Sequence, residues 1–177
     1  KVRRKLIKVK NKDKFKLKNL VNFNKNNFIE YPELGLQAIK PMINKINKLK
    51  GGILLIDYGY VKQHGVNTLQ SVKNHKKNEI FSNLGKADVT SLVNFNLLKD
   101  YFIKKKLSVN NIVSQSFFLK KLGILERAET LSIKMSFKDK ADLYLRLKRL
   151  LDTKFMGDLF KVIFACKSKY KNIIGFK

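Results

Sequence analysis

Asp57 closes the run Ile53-Leu54-Leu55-Ile56 and is the first residue in the chain placed to do chemistry. A short, wholly apolar run after an amphipathic helix reads as a buried strand of a parallel α/β sheet. Open sheets of that kind take ligands beyond the carboxyl ends of their strands. A carboxylate there can hold a ligand's donors, or it can end the strand by capping a loop amide. Tyr58 and Gly59 follow it. The tyrosine can pack on a ligand or plug the core. His75 can orient a bound group or accept a proton, although a lone histidine is often structural. Asp88, two residues before Thr90, offers a second carboxylate or an Asx turn. Gln115 reads as a cap or brace for the helix after it. Cys166 is the only cysteine, at the end of an apolar run, and reads as a buried small hydrophobe. One cysteine and two histidines, far apart, give no metal-ligand spacing.

The elements that must position these residues follow from periodicity. Val2–Lys10 and Phe15–Phe23 alternate around a polar turn and read as a hairpin or two edge strands. Leu36, Ile39, Ile43, Ile46 and Leu49 repeat at helical spacing. Pro41 calls for a late start or a kink in that helix, and Gly51-Gly52 ends it. Residues 60–90 are polar and aperiodic, a long connection of the sort that is often functional. Asn94 caps a helix with Phe95, Leu98, Tyr101 and Phe102 on one face. Ser114 or Ser116 caps a helix 117–122 that stops at Gly123. Ile124, Leu125, Ala128 and Leu131 continue helically, and Lys140–Leu151 carries a leucine stripe. Phe95, Phe102, Phe117 and Phe118 read as core. Met156-Gly157 reads as a tight turn into a second strand-like run, Leu159–Ala165, expected to lie parallel to 53–57.

The 177 residues suffice for one domain, and 44% hydrophobic content excludes a disordered chain. No apolar run is long enough for a membrane span, and no signal-peptide h-region opens the chain. A formal charge of +26 raises the question of nucleic acid. Two features speak against it. Arg occurs only at Arg3, Arg4, Arg127, Arg146 and Arg149, the other basic residues being Lys, whereas bidentate readers favour Arg. The charge is also spread along the chain. Plentiful Lys, Asn, Ile and Phe resemble AT-rich coding bias. If an anionic partner binds, Lys1–Lys18 is the densest basic stretch.

Six segments in order carry a family resemblance. Gly51-Gly52-Ile53-Leu54-Leu55-Ile56-Asp57-Tyr58-Gly59 comes first, then Asn67-Thr68-Leu69-Gln70-Ser71-Val72 with His75. Gly85-Lys86-Ala87-Asp88-Val89-Thr90 and Val93-Asn94-Phe95 follow. Gln115 with Phe118-Leu119-Lys120-Lys121-Leu122-Gly123-Ile124 and then Arg127-Ala128 is the fifth, and Met156-Gly157-Asp158-Leu159-Phe160-Lys161-Val162 closes the series. Together they resemble the MidA family of bacterial and mitochondrial methyltransferases dependent on S-adenosyl-L-methionine (SAM). Asn67 and Asn94 stand where the family usually has Asp.

The resemblance implies an α/β fold, the C-terminal part of a class I, Rossmann-like methyltransferase sheet with helical insertions. It implies edge strands over 1–27, the methyltransferase part over 28–166 and a basic tail over 167–177. The implied activity is SAM-dependent protein methylation on arginine, linked to respiratory complex I assembly. The implied partner is a protein substrate, a complex I subunit among the candidates. The implied location is a bacterial cytoplasm or the mitochondrial matrix. No glycine-rich strand-to-helix turn of the kind that holds SAM occurs in the chain. A fragment lacking that motif, inactive and unable to bind SAM alone, is therefore expected. A non-catalytic basic assembly module, binding an acidic protein or less readily nucleic acid, is the alternative. At the site, Asp57, His75 and Asp88 are the expected catalytic residues, with Tyr58, Gly59, Thr90 and Gln115 binding substrate. All but Gln115 are expected to converge at the carboxyl end of strand 53–57.

Overall fold

The structure, a computed structural model, describes residues 8, 30–62, 65, 67–168 and 173–177. The expected strands over 1–27 lie outside these residues, Lys8 apart. The first element is helix α1, Glu33–Leu49, followed by the long strand β1, Gly52–Tyr60. Three short strands come next: β2, Gln70–Lys73; β3, Lys76–Asn78; and β4, Asp88–Thr90. Strand β5, Val93–Asn94, leads directly into α2, Phe95–Lys104. Strands β6, Ser108–Val109, and β7, Val113–Ser114, precede α3, Gln115–Lys121, and α4, Ile124–Ser132. Helix α5, Phe137–Leu151, and the single turn α6, Met156–Leu159, deliver the chain into β8, Phe160–Cys166.

The main sheet runs β5-β1-β8-β6, and β7 also pairs with β8. Strands β1 and β8 are antiparallel over their whole length, from Gly52 opposite Cys166 to Tyr58 opposite Phe160, so the parallel pairing expected for 53–57 and 159–165 is corrected. An apolar run carries no direction, and the burial expected of it is also corrected: Leu54 and Ile56, on one face of β1, are exposed. Here α6 brings the chain to the carboxyl end of β1, and β8 can only run back along it. The parallel pair in the sheet is β1 with β5, at Gly59–Val93 and Tyr60–Asn94.

Alternation along β8 builds two cores. Ile163 and Ala165 face α1 and α2, where they meet Ile43, Phe95 and Phe102. Val162, on the other face, packs with Phe118 and Phe176. The chain end therefore returns to the sheet. Tyr101 Oη donates to the Leu36 carbonyl at 3.1 Å and ties α2 to α1. Phe117 proves partly exposed, with the Lys121 ammonium 5.5 Å from its ring centroid, while Phe95, Phe102 and Phe118 are core as expected.

Several local expectations change. Helix α1 runs through Pro41, and both Pro41 and Gln37, whose carbonyl loses its helical donor, are exposed and can be served by water. Lys50, not a glycine, takes the left-handed conformation that closes α1. Helix α5 starts three residues early, at a Ser136 cap whose oxygen accepts from Asp139 N at 3.2 Å. Met156-Gly157 forms a helical turn and not a simple one, with Gly157 so close to α5 that a Cβ would lie 2.2 Å from the Leu151 carbonyl oxygen. The polar stretch 60–90 contains a second, three-stranded antiparallel sheet, β3-β2-β4. Its strands are three or four residues long and mostly polar, too short for period two to show.

Candidate functional site

Two cavities lie beside the carboxyl end of β1. One, of about 450 Å³, is bounded by Glu30 and Pro32 before and at the start of α1, Asn67 and Leu69, residues 91–94 entering β5, and Leu97 and Leu98 of α2. The other, of about 800 Å³, lies between Tyr58 of β1, Leu159 before β8, residues 67–71 and residues 77–80 of the small sheet. Asn67, Leu69 and Leu92 belong to both walls.

The wall between them is held by Thr68. Leu92 N donates to Thr68 Oγ1 at 2.9 Å, and Thr68 Oγ1 donates to Glu30 Oε2 at 2.6 Å. Thr68 N donates to Glu30 Oε1 at 2.8 Å. With its oxygen serving Leu92, the threonine gives its proton to Glu30, and one residue fixes both oxygens of the carboxylate. Asn67 Oδ1 accepts from Leu69 N at 3.0 Å and shapes the turn into β2. Asn94, as expected, caps α2, accepting from Leu97 N at 3.1 Å. Tyr60 sits by this network. Burial pushes its phenol up from the ordinary value, the Glu30 charge adds to that, and a hydrogen bond with the Asn94 side chain pulls the other way.

Gly59 sets the spacing. A Cβ there would lie 2.2 Å from the Val93 carbonyl oxygen and 2.7 Å from the Phe95 ring, so the β1–β5 approach requires glycine. Tyr58, one residue earlier, stands edge-on to Phe160 with centroids 5.3 Å apart and lines the larger cavity.

Of the six residues expected to converge, the larger cavity takes Tyr58 alone, and the smaller takes none. Asp57 does not end the strand, which continues to Tyr60; it is exposed, paired with Lys161, and its Oδ1 accepts from Tyr58 N at 2.8 Å. His75 is exposed at the tip of the β2–β3 hairpin. Its φ of 60, after Asn74 at 49, makes a two-residue left-handed turn, a conformation Asn and His tolerate well. Asp88 is exposed on β4 opposite Val72, and Thr90, half-buried, pairs with Gln70. Gln115 is buried and its Nε2 donates to the Leu150 carbonyl at 3.0 Å, bracing the last turn of α5. Cys166 is buried and free, its thiol pushed up by burial.

Glu30 and Thr68 were missed. Thr68 lies inside the segment 67–72 quoted above for its resemblance, although only its neighbours looked chemical. Glu30 is the sole acid between Asp13 and Glu33, in a stretch rich in Lys and Asn, and that isolation was the available signal.

Residues 4–113 match the model of a family described as "Putative S-adenosyl-L-methionine-dependent methyltransferase". The chain belongs to this family. The matched span includes the whole lining of the Glu30 cavity and that of the Tyr58 cavity up to Leu92. Among curated proteins, it is 34% identical over 98 residues to the mitochondrial protein arginine methyltransferase NDUFAF7 of Xenopus tropicalis, covering 55% of this chain and 22% of that protein. To the mitochondrial NDUFAF7 homolog of Caenorhabditis elegans it is 31% identical over 100 residues, 56% of this chain and 23% of the other. The chain thus matches less than a quarter of the length of these relatives.

Two crystal structures of Burkholderia thailandensis proteins share the fold. One, of an uncharacterized protein, gives a TM-score of 0.59 at 21% identity over 76% of this chain and 37% of its own. The other, of a "likely methyl transferase" bound to S-adenosyl-homocysteine, gives 0.58 at 20% identity over 78% and 37%. These likenesses show the α/β fold that the chain shares with the two proteins. Among the described residues no helix is long and apolar enough to cross a membrane, and no cluster of His, Cys, Asp and Glu could hold a metal.

Proposed function

We propose that this chain is the acceptor-side portion of a SAM-dependent protein methyltransferase that methylates arginine. The observation that carries the reading is the family match over 4–113, which spans nearly all the residues that line both cavities at the carboxyl end of β1. The arginine methyltransferase relatives support the choice of acceptor. Resemblance to the MidA family supports a respiratory complex I subunit as substrate, and a mitochondrial matrix or bacterial cytoplasmic location.

SAM, the cofactor this reading requires, supplies the methyl group. The described strand-to-helix junctions, Asn94-Phe95 and Ser114-Gln115, carry no glycine, and neither is a glycine-rich cradle. These junctions do not fit the cofactor's loop, and we assign the cavities beside β1 to the acceptor. Methyl transfer to a guanidinium nitrogen needs desolvation and orientation more than acid–base strength. Partly buried walls and one fixed carboxylate meet those needs. Asp57, His75 and Asp88 are assigned no step.

The natural protein carrying this chain, incubated with methyl-labelled SAM and an extract of its own organism, should yield labelled N-methylarginine on acid hydrolysis. Label in lysine or carboxyl esters, or none in protein, would overturn the reading.

A further inference from the structure

We infer that Glu30 is the counter-ion that seats the acceptor's guanidinium, in the cavity between α1 and α2; this rests on the arginine-methylation reading and assigns its acceptor pocket. Three observations meet there. First, Glu30 lines the smaller cavity, whose other walls include Pro32, Leu36, Leu69, Leu97 and Leu98. An aliphatic stem ending in a cation matches such a site: apolar walls for the methylenes, one carboxylate for the head.

Second, both carboxylate oxygens are already oriented by Thr68, at 2.8 and 2.6 Å. A carboxylate has about four lone-pair sites, so each oxygen keeps one for a ligand. Two fixed oxygens present the paired acceptors that a planar guanidinium fork takes bidentately. Among the described residues no cation forms an ion pair with Glu30. A partly buried carboxylate gains most from a partner that brings both charge and donors.

Third, the neighbouring side-chain oxygens each accept from a backbone amide, and Glu30 is the one charged residue of the lining. Asn67 Oδ1 serves Leu69, Asn94 Oδ1 serves Leu97, and Thr68 Oγ1 serves Leu92. They build the site and leave Glu30 as the group that recognises charge.

The test is binding of N-acetyl-arginine amide to the natural protein, followed by leucine methyl NMR, with the neutral isostere N-acetyl-citrulline amide alongside. Arginine amide should bind at least tenfold more tightly than citrulline amide and shift Leu36, Leu69 and Leu98. Glu30→Gln, which keeps shape and one acceptor for Thr68, should remove that preference. Equal binding of the two amides, an undiminished preference in Glu30→Gln, or shifts centred on Tyr58 and Ile80 would overturn the assignment. The citrulline comparison needs only the unaltered protein, so it decides even if Glu30→Gln folds poorly. Arginine binding here without methyl transfer would sink the proposed reaction and leave the site standing.

Discussion

The cavity around Glu30 and the cavity around Tyr58 share Asn67, Leu69 and Leu92 yet are built on different principles. The first is smaller and mainly apolar, and its wall carries a half-buried carboxylate that Thr68 holds by both oxygens. The second is larger and its far wall is the three-stranded sheet, where Lys77, Asn78 and Glu79 stand at the end of β3. Asn78 Nδ2 is already divided among Ser71 Oγ and the carbonyls of Glu79 and Ser82. An amide whose donors are committed to its own hairpin has little left for a ligand, and Lys77 and Glu79 beside it are exposed to solvent. An apolar wall with one oriented charge recognises a cation. The difference lies less in which polar residues are present than in which retain unused hydrogen-bonding capacity.

Substitutions can separate the two. Gly59→Ala should have the largest effect, because the new Cβ would collide with the Val93 carbonyl and the Phe95 ring and part β5 from β1 beneath both cavities. Overpacking against backbone costs about 3 kcal/mol; urea unfolding should show it, with arginine-amide binding lost as well. Thr68→Val should act on the Glu30 side, leaving Leu92 N and one Glu30 oxygen without their partner. A lost pair of this kind costs about 2 kcal/mol. Denaturation should register that loss, and binding of the cation should weaken. Tyr58→Leu removes the edge-on contact with Phe160, worth about 1 kcal/mol. Its thermal midpoint should fall slightly while arginine-amide affinity holds; a matching loss of affinity would mean the cavities work as one.

The smallest effect concerns pH. The Tyr60 phenol is raised by burial and by Glu30. A raised folded value means the folded chain resists ionisation that the unfolded chain accepts. The stability is intact below the unfolded value and is lost as pH rises past about 10. In Tyr60→Phe, unfolding free energy should fall less steeply across that alkaline range than in the parent protein. Identical slopes would show that folding does not raise the phenol.

How much of this was legible beforehand varies by element. The strand 53–57, the caps Asn94 and Ser114 and the helices around Leu98, Ala128 and Leu147 follow from apolar period and cap chemistry, and they appear. Strand direction did not, since β8 is as apolar as a parallel core strand and only its entry through α6 sets its sense. The small sheet was hidden because backbone pairing, not side-chain pattern, holds strands such as Lys76–Asn78. The site followed the same logic. Asp57, His75 and Asp88 stand out in the sequence by residue type, and in the structure each is exposed. Glu30 lies 38 residues before Thr68, and nothing in one sequence announces that the two meet.

The most direct test of this account is a crystal structure of the natural protein with S-adenosyl-homocysteine and an arginine-containing acceptor peptide. The guanidinium should lie against both Glu30 oxygens, with its methylenes along Leu36, Leu69 and Leu98. A guanidinium seated instead between Tyr58 and Glu79, or left on the surface, would contradict it.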